Sequence, residues 1–127
     1  MEKAIELFAA IHFLIVGLSH IIQRRAWVEF FIWLRERGHA GVFVHGFLSL
    51  WFGSMILAFH NVWSGWPGVL TFIGCAYILK AALCFLWPAT QMRSLRRVSQ
   101  KRAWEFVVPG VVFVWLGGML SYSLWTW

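Results

Sequence analysis

Apolar residues in this chain fall into four long runs, 4–22, 41–60, 66–87 and 104–125, separated by short polar stretches. Each run is close to the ~20 residues a helix needs to cross hydrocarbon at about 1.5 Å per residue. Lipid offers backbone amides no hydrogen-bond partners, so a spanning run must satisfy them internally as a helix. The pattern predicts an all-α protein: a single membrane domain over 1–127, folded as a four-transmembrane-helix bundle. The first run reads as a retained helix rather than a cleaved signal. Glu2 and Glu6 accompany Lys3, and no small-x-small cleavage site follows.

The polar stretches have patterns of their own. Between the first two runs, Trp27, Phe30, Phe31 and Leu34 follow i, i+3, i+4, i+7 spacing, with Arg24, Arg25, Arg35 and Arg37 around them. This predicts a short amphipathic interfacial helix over about 24–37, its aromatic side dipping toward lipid. Gly38 and Gly41 let the chain turn into the second span. A tight uncharged hairpin, 61–65, joins the second and third spans. Pro67 suits the first turn of the third helix, and Pro88 ends that helix. A basic stretch, 89–103, leads to the fourth span, which Pro109 is expected to bend.

Each run also carries two small residues seven apart: Ala10 and Gly17, Gly46 and Gly53, Gly74 and Ala81, Gly110 and Gly117. Seven residues make about two turns, so each pair shares a face. Small faces let backbones approach where lipid competes for every apolar contact. They are expected to meet in a left-handed bundle.

Composition supports lipid as the solvent. Hydrophobic residues make up 61% and charged residues 13%, against about a quarter charged in soluble domains. There is no Asp and there are five Glu. The net charge of +6 sits in two blocks between apolar runs, which argues against nucleic acid as a partner. Nine of the eleven Lys and Arg lie in the first and third connections. The positive-inside rule then predicts an inner (plasma) membrane protein with both termini outside and anionic lipid at its cytoplasmic face. Trp63, Trp66, Tyr122, Trp125 and Trp127 would mark the outer interface; Trp27, Trp33, Trp87 and Trp104 would mark the inner one.

Polar groups inside the runs are costly and carry the candidate chemistry. Sorted by depth, His20, His45 and Lys80 form an inner cluster. His12, Ser49 and Ser54 lie near the middle, and His60, Asn61 and Thr71 at the outer end. A b-type haem needs two imidazoles at equal depth, a condition His20 and His45 meet. The third and fourth runs contain no histidine, and the preferred reading is an imidazole bonded to a carbonyl or hydroxyl. The expectation is therefore no cofactor and no metal, with haem b as the one alternative. Lys80 can snorkel to headgroups or help the inner histidines attract an anion or lipid phosphate. Glu6, the candidate membrane-embedded carboxylate, lies near the outer edge of its run, which is shallow for proton-coupled export. No Ser–His–Asp set and no glycine-rich phosphate loop occur, and His60 with Ser64 is generic. Cys75 and Cys84 would point about 180° apart on one helix and cannot pair within it.

The segment His60, Asn61, Trp63, Trp66, Pro67, Thr71, Gly74, followed by Lys80 and Pro88, resembles an HNxW, WP, TxxG, K pattern of small bacterial four-helix membrane proteins. Cys75 and Ala81 depart from it, standing where Trp and Gly are expected. The resemblance spans about 30 residues and implies topology, with no established activity attached. A looser similarity of size and span count to DoxX-like membrane proteins is an analogy of fold alone. The expected function is a non-enzymatic accessory or interaction subunit, in a homo-oligomer or larger membrane complex. A small oligomeric transporter or channel is the alternative, and a haem electron-transfer subunit the second.

Overall fold

The computed structural model describes residues 2–126; Met1 and Trp127, the latter one of the aromatics expected at the outer interface, lie outside the described residues. The elements in chain order are α1 (Glu2–Ile22), α2 (Arg24–Glu36), α3 (His39–Phe59), α4 (Gly68–Leu86), α5 (Pro88–Arg96), a 3₁₀ segment (Gln100–Phe106) and α6 (Val107–Thr126). No strand occurs among the described residues. The helices α1, α3 and α4, and α6 together with its 3₁₀ lead-in, are long and apolar enough to cross a membrane. Their outer faces carry large bare apolar side chains, among them Ile15, Phe47, Phe72, Leu79 and Trp115. Water would penalise such a surface and hydrocarbon does not, so this is the surface of a membrane protein.

The long helices pack as two antiparallel pairs, α1 with α6 and α3 with α4. Glycine sets both seams. A Cβ on Gly17 would stand 2.8 Å from the Gly110 carbonyl oxygen, and one on Gly110 would stand 2.8 Å from the Gly17 oxygen. Further along the seam, Gly117 lies against Leu14. In the other pair Gly53 lies against the Gly74 carbonyl and Gly46 against Cys84 and Phe85, while Ala10 and Ala81 are fully buried. Backbone-to-backbone approach of this kind supplies the close packing that holds helices together in lipid. Phe13, Phe52, Ile56, Leu70, Leu116 and Leu120 then join the two pairs in one core.

The connections differ from expectation in instructive ways. The helix α2 is present, and it packs on protein: it touches α3, α5 and the 3₁₀ segment, burying Val28 and Leu34 completely. Its aromatic side meets His20, His45 and Phe106. Gly38, at φ 63°, makes the turn into α3, and a Cβ on Gly41 would overlap the Leu34 carbonyl. The basic stretch is also partly helical. Pro88 does end α4, and it then serves as the first residue of α5, where its missing N–H has no helical partner to lose. Pro109 falls in the first turn of α6, and the irregular backbone lies earlier, at Arg102. Three long-range bonds clamp α2 to this stretch. The Arg35 guanidinium donates to the Val98 and Leu95 carbonyls at 3.0 and 3.4 Å, and the Gln100 amide donates to the Arg25 carbonyl at 3.3 Å. Arg35→Ala should therefore loosen α2 by about 1 kcal/mol. Amide exchange should accelerate across α2 while α1 and α6 keep wild-type protection; uniform exchange across all helices would contradict the clamp.

Candidate functional site

At one end of the bundle three polar side chains meet inside apolar surroundings. His60 is the residue where α3 stops, its backbone extended (φ −130°, ψ 99°) and its N–H still bonded to the Ile56 carbonyl. Leaving the helix there turns the imidazole inward, where it is 1% exposed. Thr71, fully buried, sits on the first turns of α4, one turn after Pro67. Glu6 lies on α1 and is 6% exposed.

Hydrogen bonding fixes the histidine tautomer. The Thr71 hydroxyl lies 2.6 Å from the Val62 carbonyl, an acceptor only, so its single hydrogen goes there. The same oxygen lies 2.7 Å from His60 Nδ1 and must accept from it. Nδ1 therefore carries a hydrogen, and Nε2 is the nitrogen free to gain or lose a proton. Nε2 has no hydrogen-bond partner among the described residues and stands 3.8 Å from Glu6 Oε2. A neutral Nδ1–H imidazole would turn its bare Nε2 lone pair toward carboxylate lone pairs. One proton, on either Nε2 or the carboxyl, removes that repulsion and makes the pair net neutral. The separation exceeds the 2.7–3.2 Å of a direct N–H···O bond, leaving slack for the pair to close.

Beside Glu6 a cavity of 140 Å³ is lined by Glu2, Lys3, Val62, Pro67 and Leu124. At roughly 30 Å³ per liquid water it holds a few molecules and gives the carboxyl a route to the end of the bundle. Asn61 and Trp63 do not enter the site; the Trp63 indole donates to Asn61 Oδ1 at 2.9 Å on the exposed side of the hairpin. Trp66 packs edge-on against Trp115.

Comparison with known proteins finds no matching family model, no matching curated protein and no matching solved structure. The chemistry of the site is accordingly read from its own atoms.

Lys80 lies within electrostatic reach of both His20 and His45, but the three do not share one cavity. His45 and Lys80 line one cavity, whereas His20 stands apart from it. His20 Nδ1 lies 2.8 Å from the Val16 carbonyl and donates to it, and the ring stacks on Trp27 at 4.0 Å. Trp27 in turn donates to Ser19 Oγ at 2.9 Å. Ring contacts from His20 to His45 run through Phe106 and Phe31, at 6.1, 5.3 and 5.3 Å. Bis-imidazole ligation of a haem would have to displace both phenyl rings. No group of three or more His, Cys, Asp or Glu stands close enough to hold a metal among the described residues. His12 stacks on Phe52 at 4.2 Å, and both cysteines are free.

Sequence reasoning picks out His60 and Thr71 but sets Glu6 aside as too shallow. A signal was available: Glu6, Ala10 and Gly17 lie within about 40° of one another around a helix, so the acid shares the small-residue face that packs inward.

Proposed function

We propose that this chain is an integral protein of a bacterial inner membrane that binds a proton at the buried Glu6–His60 pair, acting as a non-enzymatic, proton-handling accessory subunit. The positive-inside rule places α2, α5 and the basic residues on the cytoplasmic side, with α2 at that interface and both termini outside. The Glu6–His60 pair then lies toward the outer end. One observation carries the reading: a carboxylate and an imidazole face each other at 3.8 Å inside an apolar bundle, with the far imidazole nitrogen already committed to Thr71. Intramembrane ionisable pairs of this kind are the usual carriers of protons through membrane proteins. The 140 Å³ cavity beside Glu6 favours a second reading, an oligomeric transporter in which the same pair couples proton movement to a solute.

Nitrogen NMR of ¹⁵N-histidine protein in lipid tests the assignment. The His60 signals should show Nδ1 protonated and Nε2 sharing a proton with Glu6. In Glu6→Gln the amide can donate to Nε2, so the Nε2 signal should move to that of a hydrogen-bond acceptor while Nδ1 keeps its hydrogen. A His60 ring protonated on Nε2 alone, or an Nε2 signal unchanged in Glu6→Gln, would defeat the proposal.

A further inference from the structure

At the opposite end of the bundle two cavities adjoin. One, of 230 Å³, is lined by His45, Lys80, Gln91 and Ser94 against Phe31 and Val42. The other, of 190 Å³, is lined by Ser94, Arg97, Arg102 and Glu105 against Phe106 and Pro109. Ser94, Val98 and Phe106 border both, so they form two lobes of one groove between α3, α4, α5 and the 3₁₀ segment.

We infer that this groove binds the phosphate of an anionic phospholipid, with Lys80, Gln91 and Ser94 holding the phosphate and Arg97 and Arg102 at the second lobe. Three features support a lipid. The groove is cationic: Lys80, Arg97 and Arg102 face one carboxylate, Glu105. Gln91 and Ser94 are three residues apart on α5, so their donors share the helix face that Lys80 meets from α4. Between the polar groups the walls are apolar, as the glycerol and first acyl carbons of an amphiphile require. Lys80 lies six residues before the end of α4 at Leu86, about 9 Å along the axis. Its ammonium therefore sits where hydrocarbon gives way to headgroups, whichever leaflet that end occupies. Basic pockets between membrane helices recognise phospholipid headgroups by this chemistry.

The inference stands independently of the proton site. The test uses the full chain in detergent, titrated with short-chain phosphatidylglycerol, short-chain phosphatidylcholine or inorganic phosphate, with binding read from the thermal unfolding midpoint. Phosphatidylglycerol should raise the midpoint, phosphatidylcholine and inorganic phosphate should not, and Lys80→Gln should weaken the response about tenfold. Lys80→Arg should retain the response. Ser94→Trp, at an exposed position where the lobes join, should block it and serves as a second variant should Lys80→Gln fail to fold. Arg93→Gln with Arg96→Gln removes two exposed charges from the same helix outside the groove and should leave the response unchanged. Equal losses in that pair and in Lys80→Gln would reduce the effect to general charge attraction and overturn the site. Protection by inorganic phosphate that depends on Lys80 would overturn the lipid assignment in favour of a soluble phosphate.

Discussion

Gly117→Leu should abolish the folded, monodisperse protein in mild detergent, while Gly118→Leu, the next residue on the same helix, leaves it intact. The two substitutions are matched in everything but direction. Both remove a glycine from the interior of α6 and gain about the same helix propensity, up to ~1 kcal/mol. At Gly117 a Cβ would already stand 2.8 Å from Leu14 Cγ and 3.0 Å from the Leu14 backbone nitrogen, and the backbone cannot step aside. The rest of a leucine side chain lies beyond that Cβ, so α1 and α6 must separate. Overpacking costs about 1–3 kcal/mol where neighbours can adjust, and more where they cannot. At Gly118 a Cβ meets nothing within 4 Å. Size-exclusion profiles and melting curves of the two variants give the comparison. Indistinguishable behaviour would mean that the α1–α6 seam does not hold the bundle together.

The second large effect is expected at the Glu6–His60 pair, measured as a double-mutant cycle. Glu6→Leu leaves His60 Nε2 buried with nothing to bond, a loss of about 1–3 kcal/mol. His60→Leu leaves the Glu6 carboxyl with only the adjoining cavity to solvate it and also removes the bond that Thr71 accepts, a loss toward the lower end of about 3–5 kcal/mol while the carboxyl stays charged. The double variant strands neither group and should recover most of the single-variant losses, because apolar replacements for buried ion pairs are often neutral or stabilising. The expected coupling energy is about 2 kcal/mol or more, favouring both wild-type residues or neither. Additive losses would show that the two side chains do not sense each other across their 3.8 Å gap. Recovery in the double variant would also mean that folding does not require the pair.

The long helices were legible because their signal is one-dimensional. Run length and hydropathy give α1, α3, α4 and α6 without knowledge of any neighbour. What failed depends on direction around each helix. His20 and His45 have similar depth, which the sequence supplies, but His20 faces Trp27, Phe106 and Phe113 while His45 opens to the cavity with Lys80. Depth alone does not single out Glu6, because its contact arises where α3 breaks at His60 and the ring turns toward α1. The helix α5 escapes the pattern because Pro88 both ends α4 and opens the next helix, and the sequence signals only the first. For α2 the amphipathic spacing gave the helix, while its burial against α5 and the 3₁₀ segment came from Arg35 and Gln100 reaching carbonyls far along the chain.

The pairing of α1 with α6 has a consequence for biosynthesis. The α3–α4 hairpin closes over a short connection and can assemble as soon as both helices enter the bilayer. By contrast, Gly17 must await Gly110, which leaves the ribosome roughly 5–20 s later at ordinary elongation rates. During that interval α1 stands in lipid with its glycine groove open and Glu6 on the same side, so an insertase or chaperone that shelters nascent helices would meet this face first.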